Sequence, residues 1–426
     1  MLCTTAGMAT EWQVLGARAQ GMGGAGVALP NGAESAYWNP AGLGEPDNKS
    51  GVQVPFGAHV GVTGSAVAGA RDLNNVINAC NNGGAGCSQS NVNNALNELN
   101  SSGTGARVDA GTGLGFKLGR VTVFANDFVF AGAKPNADFS YTVAGNQLGV
   151  NNNSSIVIRG LNATEIGAAY GHEIPYVPGV FGGLTLKGII GDAGFNNFRI
   201  GSNGQFGGSA SPFKGGASSF QPSVDVGALW DMNRTSFLQN VWWRPRVGLT
   251  VHDINSPSFK YSAAQQTAPA GSPAGTPVAP NRYVLQSGAR MGVSLQPLSF
   301  WNVAMDADLT RNITALEGVD SQMVALGTEL NVFNRSWLNI PLRAGLSRNM
   351  ALPGSKTAIS AGAGFNFLHF NVDLGATVTP GTQTIQSQGQ SQKLPNDVAF
   401  SGQLALLFGG SPTISPASTS GKPISN

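Results

Sequence analysis

A chain of 426 residues in which only 11% are charged and 60 are glycine is not composed like a soluble globule, where about a quarter of residues are charged. Its net charge of +2, spread over scattered basic residues, lacks the concentrated basic face that a nucleic-acid partner requires. No run of about 18 apolar residues occurs, so no membrane-spanning helix is available, and any membrane role must rest on strands.

Residues 1–9 read as the remnant of an export signal, because Gly7-Met8-Ala9 has the small-x-small form of a cleavage site. Cys3 falls inside that remnant, with too little context for a lipoprotein anchor. Residues 10–50 read as a hatch. The stretch Gly16–Leu43 is too glycine-rich for a helix and too interrupted for a strand, yet Met22, Val27, Leu29, Tyr37, Trp38 and Leu43 need burial. Such a segment is expected inside something larger. Asn39-Pro40-Ala41-Gly42 closes it as a turn, since Pro40 fixes its own φ and moves Asn39 out of the helical region. Gly21–Gly26 satisfies G-x-G-x-x-G, but Pro30-Asn31-Gly32 stops the helix that a dinucleotide site would need.

Gly51–Ala66 then alternates with period two, the strand signal. In 71–100 the spacing changes: Leu73, Val76, Ile77 and Cys80, then Val92, Ala95, Leu96 and Leu99, fall at helical intervals and predict two short amphipathic helices. These could cap a barrel mouth or pack on the loop beside them. Between them, Cys80 and Cys87 read as a disulfide suited to an oxidising compartment. Two free thiols are the plainer alternative, and a zinc site lacks a nearby histidine.

From Arg107 onward, strands recur in pairs joined by short turns and separated by long polar connections: 107–118, 121–130, 164–172, 183–191, 223–231, 246–255, 288–296, 301–310, 322–333, 338–348, 357–367, 370–379 and 398–408. With the first strand the total is about fourteen, an even number within the range of bacterial barrels, and turn lengths alternate as expected for two unlike sides. The fold class is therefore all-β: an antiparallel transmembrane β-barrel of about fourteen strands over 51–409, plugged by the hatch, with the 71–100 helical insertion in its first outer loop. A soluble β-sandwich would alternate in the same way. Trp230, Trp242, Trp243, Trp301 and Trp337 all lie beside short turns, as an interfacial aromatic girdle requires. The tail 410–426, rich in Pro and Ser, reads as disordered.

Counting from the turns, inward charges meet across hairpins: Glu165 with Lys187, Arg290 with Asp306, Glu329 with Arg343 and Asp225 with Arg246, with Asp308 and Asp373 nearby. They form either a polar constriction on a solute path or a network that holds the wall and clamps the hatch through Arg18 and Glu34. On the third strand, Phe124, Phe128 and Phe130 share a face opposite Val121, Val123 and Asp127. Either the rings point into the lumen, or a bulge near Asn126 slips the register. No catalytic constellation, metal site or cofactor motif is recognisable.

The run Gly16-Ala17-Arg18-Ala19, Gly21-Met22-Gly23-Gly24-Ala25 and Ala36-Tyr37-Trp38-Asn39-Pro40-Ala41-Gly42-Leu43 resembles the N-terminal hatch of the FadL superfamily of outer-membrane barrels. That superfamily includes fatty-acid and aromatic-hydrocarbon channels and PorV-type secretion barrels. Asp306-Ala307-Asp308-Leu309, Gly327-Thr328-Glu329-Leu330 and Leu342-Arg343-Ala344-Gly345 are similar to the plasmid-transfer TraF-like branch, whose activity is poorly defined. The resemblance reaches to about Phe408. It implies a hatch or gate formed by Arg18, Gly21, Gly23, Gly24, Glu34, Trp38, Asn39, Pro40 and Ala41, and a kinked third strand opening a lateral exit at Phe124, Phe128 and Phe130. It also implies residence among outer-membrane lipids of a Gram-negative-type bacterium, a hydrophobic small-molecule ligand or an envelope or secretion protein partner, and no covalent chemistry.

Overall fold

Alternation places one side chain of each strand outside and the next inside, and exposure separates the two sets cleanly. On the strand Trp301–Asp308, Met305 is 49% exposed and Asp306 only 1%. The computed structural model describes residues 11–409 except 65, 102, 140–142, 145–146, 149–153, 200–215, 236–240, 269–271, 273–274, 336 and 388–389. The expected signal remnant and the tail lie outside the described residues.

Fourteen strands close into one antiparallel barrel: β1 Ser50–Thr63, β2 Gly105–Leu118, β3 Val121–Asn136, β4 Ser155–Glu173, β5 Val180–Arg199, β6 Ala217–Asp231 and β7 Arg246–His252. The second half comprises β8 Gly288–Leu298, β9 Trp301–Asp308, β10 Met323–Asn334, β11 Leu338–Asn349, β12 Ala358–Phe367, β13 Phe370–Ser387 and β14 Gln390–Phe408. Each pairs with its successor, and β14 pairs with β1 to remove the last free edge. Gly119, at φ 59°, lets two residues join β2 to β3.

Every predicted strand is present, but several run further on the long-loop side. β3 continues to Asn136, β4 begins at Ser155, β5 reaches Arg199, and β13 and β14 stay paired out to Ser387 and Gln390. The outward apolar residues of β13 run only from Phe370 to Val378. Eight steps of about 3.3 Å along a strand tilted about 40° give a belt on the order of 20 Å tall, close to the height of a lipid-facing band. Beyond that belt the strands carry Thr and Gln, so alternation vanishes while backbone pairing persists. The region expected as one long loop at 256–286 also folds inward. A ladder between Ser258–Lys260 and Arg282–Val284 buries Phe259 and Tyr283 against Phe128, Ile189 and Phe195.

The insertion forms helices α1, Ala66–Asn81, and α2, Gln89–Leu99, with Cys80 and Cys87 joined in a disulfide. Ser88 caps α2 by accepting from the Asn91 amide at 3.3 Å. The apolar faces are buried on one another (Leu73, Val76 and Ile77 against Val92, Leu96 and Leu99) and on Ala137 and Val143 after β3. Replacing both cysteines by serine should loosen this hairpin by about 2–3 kcal/mol and leave the barrel melting unchanged. Faster amide exchange confined to 71–100 would show it.

Candidate functional site

Glycine supplies the room inside the barrel. The inward glycines of adjacent strands meet residues of the amino-terminal segment in pairs: Gly183 and Gly227 at Pro40, Gly248 and Gly292 at Val27, Gly327 and Gly345 at Met22, Gly362 and Gly375 at Gly21. A Cβ on Gly375 would stand 2.7 Å from the Ala17 carbonyl oxygen, and one on Gly248 would stand 2.6 Å from that of Val27. Segment and wall thus touch backbone to backbone. Gly23, at φ +73°, lies with its Cβ position 2.7 Å from the Leu346 carbonyl oxygen, so both the conformation and the space there require glycine. Gly24 has a φ of +97° and turns the chain at the same point.

Polar groups lock this packing. Glu329 accepts from Arg18 Nε at 2.9 Å, Arg18 Nη2 at 2.8 Å and Arg343 Nε at 2.7 Å, while Arg343 Nη1 donates to Asp373 at 2.6 Å. Glu329 and Arg343 are directly opposed in the β10–β11 ladder, as predicted. Asn39 donates to the carbonyls of Val27 at 3.1 Å and Ala228 at 3.0 Å, and its Oδ1 accepts from the Ala41 amide. Trp38 donates to the Leu15 carbonyl at 2.9 Å. Ala41 is buried against Phe181 and Leu229.

Two predicted pairings are corrected. Arg290 lies opposite Asp308, not Asp306, and binds it at 2.6 Å. The strand β8 runs on to Leu298, so the turn is Ser299-Phe300, and with the register shift between Leu295 and Leu298 Arg290 comes opposite Asp308. Asp306 instead accepts from the Gly26 and Val27 amides at 2.7 and 2.9 Å, holding the segment directly. Asp225 does not meet Arg246. It joins Glu165 and Asp253 around Lys187, each at 3.1 Å, whereas Arg246 reaches Glu45 at 2.5 Å. Glu165 and Lys187 do meet, but diagonally, since Lys187 is opposite Gly167.

β3 pairs with both neighbours without a register shift, so the bulge near Asn126 is absent. Phe124, Phe128 and Phe130 are buried on the inner face, which resolves the alternatives in favour of inward rings.

The carboxyl of Glu34 is enclosed beside Gly16. Burial first, then Asp373, pushes its pKa up to about 8 against the opposing pull of Arg18 and Arg343. A free glutamate titrates near 4.5, so the docked segment holds a proton that the released segment gives up between those values. This contribution is complete below about pH 4.5 and is lost as pH rises through about 8. Proteolytic protection of the segment should therefore fall between about pH 4.5 and 8, and Glu34→Gln should flatten that response. Equal pH dependence in both proteins would overturn this assignment.

Above the segment lies a cavity of about 50 Å3. Trp12, Tyr37, Phe128, Phe130 and Leu285 line it together with Glu165, Lys187, Asp253 and His252. His252 stacks on Trp12 with ring centroids 3.8 Å apart, and Arg290 covers that indole at 5.0 Å. Sequence reasoning passed over Trp12, Asp253 and His252. His252 shares the inward parity of β7, the one signal that could have singled it out.

Residues 36–308 match the family described as F plasmid transfer operon, TraF, protein. Among solved structures, the toluene transporter TodX of P. putida is similar over 94% of this chain and 100% of its own, at 14% identity and a TM-score of 0.51. A TodX deltaS2S3 mutant, a monoaromatic hydrocarbon channel, matches at 13% identity over 92% of this chain and 99% of its own, with a TM-score of 0.52. These likenesses establish a common barrel fold. No curated protein matches the chain in sequence.

Proposed function

The chain belongs to the family described as F plasmid transfer operon, TraF, protein, and from that premise we propose that it is an outer-membrane channel for passive uptake of small hydrophobic molecules. The observation that carries this reading is the aromatic-lined cavity inside a closed barrel that turns an apolar belt outward. The belt, and the fold shared with the toluene transporter, support residence in the outer membrane of a Gram-negative-type bacterium. Solute would enter between the long loops, lodge above residues 10–50 and pass when that hatch shifts, without covalent chemistry. Uptake of labelled toluene by cells with the full chain, with residues 16–43 deleted, or without the protein tests it. Equal uptake in the full-chain and protein-free cells would end the channel reading.

One observation favours a second role, anchoring a protein partner in conjugation or secretion. The amino-terminal segment is held by several buried polar clamps at once, which suits a rigid platform better than a gate. Loss of a co-purifying envelope protein when 410–426 are removed would support that role.

A further inference from the structure

The loop closed by the disulfide between α1 and α2 exposes a chemically labile pair. Where glycine follows asparagine, no Cβ shields the backbone nitrogen that the side-chain amide can meet. The chain has three such pairs, Asn31-Gly32, Asn82-Gly83 and Asn203-Gly204, and the third lies outside the described residues. Every other asparagine of 71–100 is followed by a larger residue.

Asn82 is exposed in the turn directly after α1, and its side chain makes no hydrogen bond among the described residues. Gly83 is exposed too, at φ +65°, and a Cβ there would meet nothing within 4 Å. Its nitrogen donates to the Cys80 carbonyl at 3.3 Å, a long bond at a helix end, where helices fray. Asn31-Gly32 supplies the contrast. Gly32 is buried against Gln53, and its nitrogen donates to Asn48 Oδ1 at 2.6 Å. Asn48 is itself fixed by its bonds to Ser35 and the Gly42 carbonyl. One glycine nitrogen is thus held by an immobile acceptor, and the other sits in an open turn.

From this contrast we infer that Asn82 is a site of spontaneous deamidation in the folded protein, with water as the co-reactant, and that Asn31 is protected. The Gly83 nitrogen gives its proton to hydroxide and attacks Asn82 Cγ. The new N–Cγ bond replaces the Cγ–Nδ2 bond, and Nδ2 takes a proton from water and leaves as ammonia. Water then adds to either carbonyl of the cyclic imide. Opening at one restores the chain as aspartate, and opening at the other routes it through the side-chain carbons as isoaspartate. Nothing is oxidised or reduced. Both products place a carboxylate beside the C-terminal end of α1, where the helix dipole disfavours negative charge. The helical cap therefore loosens as the protein ages.

The test incubates the purified full chain in lipid nanodiscs in mildly alkaline buffer. Peptide mapping by mass spectrometry after reduction follows conversion at residues 31, 82 and 203 separately. Asn82 should convert at least about ten-fold faster than Asn31, the worth of the buried bond that Gly32 must first break. In denaturant the two rates should converge. Asn82→Gln, which would have to close a less favourable six-membered ring, should remove the product at that position. Asn82→Asp reproduces the aged charge and should speed amide exchange across 71–100 by about two- to five-fold. An Asn82 that survives in the folded chain but converts in the unfolded one would overturn the site. Equal rates at Asn31 and Asn82 in the folded chain would remove the protection assigned to Asn48. Unaltered exchange in Asn82→Asp would refute the loosening of the cap.

Discussion

Glu329→Ala should free the amino-terminal segment from the wall while the strands remain paired. In the native protein the carboxylate binds Arg18 and Arg343 together, and Arg343 shares Asp373. Removing Glu329 leaves two guanidinium groups in a buried site with one direct acidic partner between them. Breaking a buried ion pair from one side typically costs about 3–5 kcal/mol, because the remaining charge keeps its desolvation cost without its compensation. The loss falls on docking of the segment, since β10 and β11 keep their backbone ladder. Trypsin should then cut at Arg18, which its bonds to Glu329 should protect in the native protein, while the barrel itself should stay folded in both proteins. A Glu329→Gln variant keeps the shape and part of the hydrogen bonding and should lie between the two. Continued protection of Arg18 in Glu329→Ala would show that glycine packing alone holds the segment.

The legibility of these features follows how each is encoded. Strand identity was readable wherever lipid-side and lumen-side residues differ in polarity, as along Trp301–Asp308 and Phe370–Val378. It failed beyond the belt, where the ladder continues through Thr382–Gln392 and the sequence carries no alternation of apolar and polar residues. Register was readable only where the turn could be located. The β10–β11 turn allowed Glu329 and Arg343 to be matched, whereas the continuation of β8 through Pro297 hid the true partner of Arg290. The Lys187 cluster draws Asp253 from just past the end of β7, and no pairing rule counts a residue in that position. Trp12 precedes the glycine motif and carries no period, so only the three-dimensional packing brings it over His252.

Gly345→Val should have the second large effect, by a different physical route. A Cβ at that position would overlap the Gly23 nitrogen and the Met22 carbonyl carbon. Both are backbone atoms, held in turn by the neighbouring strands, and cannot swing aside as a flexible side chain would. Overpacking a filled interior costs about 1–3 kcal/mol where side chains can adjust, and this contact exceeds that condition. Expulsion of residues 16–29 from the lumen is therefore the expected outcome, read as loss of amide protection there. The outward Gly182, whose Cβ would meet nothing within 4 Å, provides the control: Gly182→Val should leave the segment protected. If both variants protect it equally, the paired glycines do not position the segment. If only Gly345→Val releases it, much of the glycine content of this chain has a mechanical explanation. Each wall strand from β5 to β8 and from β10 to β13 gives up an inward side chain so that a second polypeptide layer can lie against it. The charged residues then fix a layer whose room the glycines have already made, which is why Asp306 can spend its carboxylate on the backbone amides of Gly26 and Val27 instead of on another side chain.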